Sequence, residues 1–249
     1  MTPAYSFVRT FAPEPPRRFE VDRHYLLYAT RGALRLTAAG RSWSLPPARA
    51  ALIQARTPID IALPQAATTC SALFATDFGP APPAPLAVFE LTPLARELVV
   101  ACGVYGADAA WDAHAEALFR ALQAVTWRLA EAPSPTFMPV AKSAALARAL
   151  ALTEAELVEP PSFEALAATV ALSPRSLARR FADELGMTWR EALRRLRLIR
   201  AIEALAASDE PVTDIAFAVG YSSLSAFNAA FRDLTGLSPT AYRTTFRPA

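Results

Sequence analysis

Between residues 175 and 200 the chain carries Arg175, Arg179, Arg180, Arg190, Arg194, Arg195, Arg197 and Arg200 against Asp183, Glu184 and Glu191. A guanidinium is a planar, always charged fork of donors, suited to two phosphate oxygens or to the two major-groove acceptors of guanine. The whole chain has a net charge of only +2, so the clustering and not the total points to a polyanion. A basic run is also what a solvated helix face looks like. The residues around it have to decide.

Other chemistry has little material. The two histidines, His24 and His114, lie far apart in sequence, and Cys70 and Cys102 sit in apolar surroundings without a CxxC spacing. These cysteines read as buried reduced thiols, with a redox switch as the alternative. No GxSxG, phosphate loop or nucleophile–base pair is present, so no catalytic residue, metal site or cofactor is expected. Apolar residues make up 53% of the 249 and charged residues 19%, enough for real cores and a length suited to two domains. The longest apolar stretches are interrupted by charge, and the start, "MTPAYSFVRTFAPEPPRRF", lacks the apolar core of a secretory signal. A soluble, cytoplasmic protein without membrane contact is expected.

The elements that must hold the arginines change character along the chain. Up to about residue 85, "HYLLYATRG", "ALRLTAAGRSWSLPP" and "RAALIQARTPIDIALP" are short apolar or alternating runs broken by Gly32, Ala39-Gly40 and proline pairs. They predict short antiparallel strands of a sandwich or barrel. "GPAPPAPLAVF" (79–89) reads as a linking loop. The period is helical from "LTPLARELVVACG" onward, and residues 109–132 place Trp111, Leu118, Leu122, Val125 and Leu129 on one amphipathic stripe. "APSPTFMPV", with three prolines, marks a boundary. The expected organisation is α+β: an N-terminal β-domain with helices over 1–132, a linker over 133–140, and an all-α domain over 141–249.

The all-α part repeats itself. Ala167 and Val170 match Ala216 and Val219 at an offset of 49; Leu177, Phe181 and Gly186 match Phe227, Phe231 and Gly236 at an offset of 50. The one inserted residue falls in the polar cluster Tyr221-Ser222-Ser223, so both flanking cores keep phase. Two helix-turn-helix units, about 163–186 and 212–236, would show this pattern. In the first, Ser173 is placed to cap a helix opened by Pro174, and Gly186 to close it. Leu177, Phe181 and Leu185 form the buried stripe, leaving Arg175, Ala178, Arg179 and Ala182 outward. In the second, Leu224, Ser225, Asn228, Ala229 and Arg232 lie outward from Phe227 and Phe231. The 19 residues 189–207, free of Gly and Pro, predict a connecting helix of about 28 Å, near the roughly 34 Å of one DNA turn.

These motifs resemble the AraC/XylS family of transcriptional regulators. "VTDIAFAVGYSSLSAFNAAFRDLTGLSPTAYR" (212–243) is similar to the family signature almost throughout, and "ALAATVALSPRSLARRF" to its first helix-turn-helix. The resemblance covers about residues 140–246 and implies a bipartite domain that reads successive major-groove segments of double-stranded DNA. It assigns reading roles to Pro174, Arg175, Ser176, Ala178 and Arg179, and to Leu224, Ser225, Asn228 and Arg232. Where the family often carries a basic residue, this chain has Ala229, which weakens the second unit as a base reader. The first 132 residues resemble, less specifically, the cupin-like antiparallel β-barrel sensor of one branch of the family. That likeness implies a small organic effector, for which Tyr25, Tyr28, Arg35 and Trp43 are candidate lining, and a homodimer formed through helices 91–101 and 109–132. RNA polymerase is a further implied partner. A DNA-binding regulator whose barrel only dimerises, and more remotely a cupin-type enzyme, are the alternatives.

Overall fold

The computed structural model describes residues 2–246. Contacts divide them into two compact units, one holding the residues up to Ala38, Trp43–Pro135 and the segment from Thr240 on, the other Ala39–Ser42 and Thr136–Pro239.

The first unit is built on two antiparallel sheets. One runs in the order β1 (Ala4–Phe11), β8 (Ala67–Phe74), β3 (His24–Arg31), β6 (Arg49–Ile53), β9 (Leu86–Glu90). The other runs β5 (Arg41–Leu45), β4 (Leu34–Ala38), β7 (Ile59–Leu63), β2 (Glu14–Phe19). The three strand-like runs of the sequence thus become β3, β4–β5 and β6–β7. The expected antiparallel β-domain is present, as two sheets and not one closed barrel.

Strand β3 is buried from His24 through Ala29 because both of its faces are covered, which explains why it reads as a continuous apolar run. Leu26 and Tyr28 face a core shared with α1 (Pro93–Cys102) and α2 (Ala113–Ala130), while Tyr25 and Leu27 line the space toward the second sheet. Phe74 anchors the helix side, its ring edge-on to Phe119 at 6.0 Å and to Trp127 at 5.2 Å. Burying side chains of this size stabilises by roughly 1.5–3 kcal/mol each.

Two expectations change. The run 79–89 is not all loop: Leu86–Glu90 pairs antiparallel with β6 and buries Ala87, Val88 and Phe89. Its prolines end before Leu86, so nothing prevents a short strand there. On α2 the buried line runs through Ala115, Phe119, Leu122 and Trp127, whereas Leu118, Val125 and Leu129 are half-buried. The rings of Phe119 and Trp127 carry the most apolar area and take the inward face. At one edge of the first sheet the fully buried Arg49 holds Glu90 at 3.1 Å, and Glu90 also accepts the Ser134 hydroxyl at 2.8 Å.

The second unit is helical: α3 (Ala144–Ala155), α4 (Phe163–Thr169), α5 (Pro174–Leu185), α6 (Trp189–Ala207), α7 (Val212–Ala218) and α8 (Leu224–Thr235); α9 (Pro239–Phe246) comes next in the chain and from Thr240 on belongs to the first unit. Its core gathers Leu146, Leu166, Leu177, Phe181, Ala192 and Leu196. Among the described residues no helix is long and apolar enough to cross a membrane.

Candidate nucleic-acid interface

The pairs α4–α5 and α7–α8 repeat one another down to the backbone. After α4, Ala171 takes the left-handed conformation at φ 55°, and after α7 its counterpart Gly220 does so at 90°. The next amide then returns to the preceding helix: Leu172 N–H donates to the Ala167 carbonyl at 2.9 Å, and Tyr221 N–H to the Ala216 carbonyl at 3.0 Å. Each second helix starts on a serine cap, Ser173 accepting from Ser176 N–H and Ser223 from Ala226 N–H. Each ends on a left-handed glycine, Gly186 and Gly236, whose amides satisfy helix-end carbonyls. The caps, turn and closing glycine are local devices, and they set the direction of the outer helix.

On α5 the buried stripe is Leu177, Phe181 and Leu185. Pro174, Arg175, Ala178 and Arg179 are exposed; Ser176 is half-buried and its hydroxyl accepts from Ser173 at 2.9 Å. On α8, Phe227, Ala230 and Phe231 are buried, Ser225, Ala229 and Arg232 are exposed, and Leu224 and Asn228 are half-buried. None of the predicted reading residues is among the buried ones, and six of the nine are exposed. The Ser225 hydroxyl pairs with Ser223 at 2.7 Å, so part of its capacity is used within the cap.

The arginine cluster splits, which composition did not reveal. Arg175, Arg179 and Arg190 are exposed and join no ion pair among the described residues. The others have work inside the unit. Arg180 lies 3.6 Å from Glu184, and Glu184 in turn accepts from Lys142 N–H, Ser143 N–H and the Ser143 hydroxyl at 2.7–2.8 Å, fastening the start of α3. Desolvation opposes ionisation of Glu184, but those donors and Arg180 outweigh it and hold its carboxyl below the ordinary range. Arg194 meets Asp233 at 2.9 Å, and Arg200 meets Glu203 at 2.9 Å. Arg195 donates to the Phe137 carbonyl, and Arg197 to the Leu157 and Val158 carbonyls. Arg195 and Arg197 thus turn inward, because α6 is covered on more than one side and long side chains there reach backbone acceptors.

In the β-unit a cavity of about 100 Å³ lies between the sheets, lined by Phe7, Phe11, Glu14, Arg17, Phe19, Tyr25, Leu27, Leu34, Ile61, Leu63 and Thr69. Of the four candidate effector residues only Tyr25 lines it. Tyr28 points to the helix-covered core and donates to the Pro47 carbonyl, Arg35 is exposed, and Trp43 is buried away from this cavity. Strict alternation along β3 separates Tyr25 from Tyr28, three residues on. The same alternation pairs Tyr25 with Leu27, a signal that was available in the sequence. Burial pushes the hydroxyl pKa of Tyr25 up to about 12, against the Ser71 hydroxyl 3.0 Å away, which favours the ionised form. His24 on β3 accepts the Ala55 N–H at Nδ1, and burial lowers its pKa; His114 sits exposed on α2. Both cysteines are buried, and burial raises their thiol pKa, that of Cys102 to about 12.

A family model described as a helix-turn-helix domain matches residues 166–245. The transcriptional activator RhaS of Escherichia fergusonii is 39% identical over 94 residues, which are 38% of this chain and 34% of that protein. The transcriptional regulator NimR of Escherichia coli is 27% identical over 219 residues, 87% of this chain and 78% of its own. The stretch these comparisons share is that of a helix-turn-helix domain, and the relatives matched there are transcriptional regulators. A crystal structure of an AraC-type regulator from Chromobacterium violaceum shares 31% identity over 42% of this chain and 95% of its own, with a TM-score of 0.40. The chain spans about a third of the length of several curated relatives it matches. The matched segment 166–245 runs from within α4 into α9 and contains the doubled turn.

Proposed function

We propose that this chain is a sequence-specific DNA-binding transcriptional regulator in which α5 and α8 read two major-groove segments. The observation that carries this reading is the duplicated cap–turn–glycine frame, with an outward face on each copy that is basic on α5 and mostly small and polar on α8. Arg175 and Arg179 are the principal base readers, with Pro174, Ser176 and Ala178 admitting the helix to the groove. Leu224, Ser225, Asn228 and Arg232 make the second contact, which is the weaker because Ala229 offers no donor. Arg190 adds a phosphate contact whose strength falls with salt. No catalytic role is proposed for any residue, and the protein acts in the cytoplasm.

The cavity behind Tyr25 supports a cupin-like sensor role for the β-unit, with a small, mostly apolar effector. A metal-dependent enzyme of the cupin kind has no comparable support. A homodimer through α1 and α2 is supported by Leu94, Val100 and Val104, which are large apolar side chains left exposed on and just after α1. Contact with RNA polymerase is part of the same reading.

The test is selection of duplexes from a random pool by the full-length protein at near-physiological salt. Two recovered blocks about one helical turn apart support two readers; one block reduces α8 to a backbone contact, and no enrichment rejects the reading. Thermal stabilisation by candidate effectors separates a sensor from a regulator whose β-unit only dimerises.

A further inference from the structure

Three segments of the helical unit meet at one guanidinium. Arg197 belongs to α6, the connector between the two helix-turn-helix units. Its Nε donates to the Leu157 carbonyl at 2.8 Å and its Nη2 to the Val158 carbonyl at 3.4 Å, in the loop that leads into α4. The turn of the other unit lies against the same group: a Cβ built on Gly220 would stand 2.6 Å from the Leu157 oxygen and 2.8 Å from Arg197 Nη2. The guanidinium carbon is 5.9 Å from the centre of the Tyr221 ring, and Tyr221 packs edge-on to Phe227 of α8 at 5.3 Å. One side chain therefore touches the approach to the first unit and the turn of the second.

The choice of arginine needs a reason. Desolvation penalises the Arg197 cation, with only partial relief from Tyr221, and its hydrogen-bond acceptors here are neutral carbonyls. An apolar side chain would fill the same space without that cost. What arginine adds is a rigid planar fork that holds two backbone segments in a set relation. Backbone carbonyls cannot be satisfied in this way by a lysine, whose ammonium is a point charge on a flexible stem.

We propose that Arg197 is a positioning residue for two-block DNA reading: it ties the turn of the second helix-turn-helix unit to the loop before the first, and so sets the spacing between α5 and α8. This rests on the proposed function of those helices as readers.

The test compares the full-length protein with its Arg197→Met and Arg197→Lys variants. The probes are the duplex that the unsubstituted protein recovers from a random pool, the same duplex with its spacer changed by one base pair, and one with the α8 block scrambled. Arg197→Met is expected to bind the recovered duplex about tenfold more weakly, to bind the scrambled one within about twofold of the parent, and to discriminate less between spacers. Arg197→Lys recovers part of the loss. Equal loss on every duplex, or unchanged spacer discrimination, overturns the proposal. Backbone hydrogen exchange on the same variants gives a readout independent of DNA. Arg197→Met should speed exchange at Val219–Tyr221 about tenfold while leaving Leu177–Leu185 unchanged; an unchanged turn, or acceleration throughout, overturns it as well. A parent protein that recovers one block rejects α8 as a reader, and one that enriches nothing rejects the DNA reading; in either case the exchange result judges the brace alone.

Discussion

The two helix-turn-helix units share a frame but differ in the side chains they turn outward. The first turns on Ala171, a residue with a Cβ in the left-handed region, and presents Arg175 and Arg179. The second turns on Gly220, where no Cβ fits, and presents Ser225, Ala229 and Arg232 around a core of Phe227 and Phe231. The copy that presents Arg175 and Arg179 turns on a residue with a Cβ, and the copy with the less basic face is the one packed against Arg197 and the Leu157 carbonyl. A duplicated frame is conserved by local geometry; what each copy does depends on the few side chains turned out and on what lies behind its turn.

That comparison can be broken at its cores first. Phe181→Ala and Phe231→Ala should each cost about 3–5 kcal/mol, because both rings are fully buried. Urea denaturation measures it, and a much smaller cost in one copy would show that the frames are not equivalent. Next comes the turn. Gly220→Ala should cost about 2–3 kcal/mol, since the new methyl meets a backbone oxygen in a left-handed conformation. Arg179→Ala should weaken binding to a selected duplex by about 1–3 kcal/mol while changing nonspecific binding far less. On the second unit Arg232→Ala should weaken the same specific binding by less, because that contact is the weaker of the two. Arg175→Ala should behave as Arg179→Ala does. The smallest effect sharpens the contrast of the turns: Ala171→Gly should stabilise by about 0.5–1 kcal/mol in thermal unfolding, by relieving the left-handed alanine. Destabilisation there would mean that the methyl group has a packing role.

Much of the helical half was legible because its signals are local. Ser173, Pro174 and Gly186 act on backbone groups within a turn of themselves, and the spacing of Leu177, Phe181 and Leu185 fixes which face is buried wherever the helix lies. The connecting helix runs over Trp189–Ala207, the very stretch without Gly or Pro. Ala171 was not legible: its left-handed backbone follows from its place in the repeat opposite Gly220, and its residue type gives no hint of it. Nor was the division of the arginines, because Arg195 and Arg197 are distinguished from Arg190 only by what lies across from them.

In the β-unit the sequence marked strands and turns and missed the cavity. Alternation says which residues share a face; it does not say which face looks into a cavity and which looks onto helices. Tyr28 and Trp43 carry the right chemistry for a lining and are buried elsewhere. The sequence by itself determined the doubled frame, its caps and the stripes that bury its helices, because these depend on neighbours a few residues away. Only the tertiary structure decided which arginines remain in water, which ring lines the space between the sheets and why Gly220 has no room for a side chain. Each of those depends on a partner distant in the chain, which no local pattern specifies.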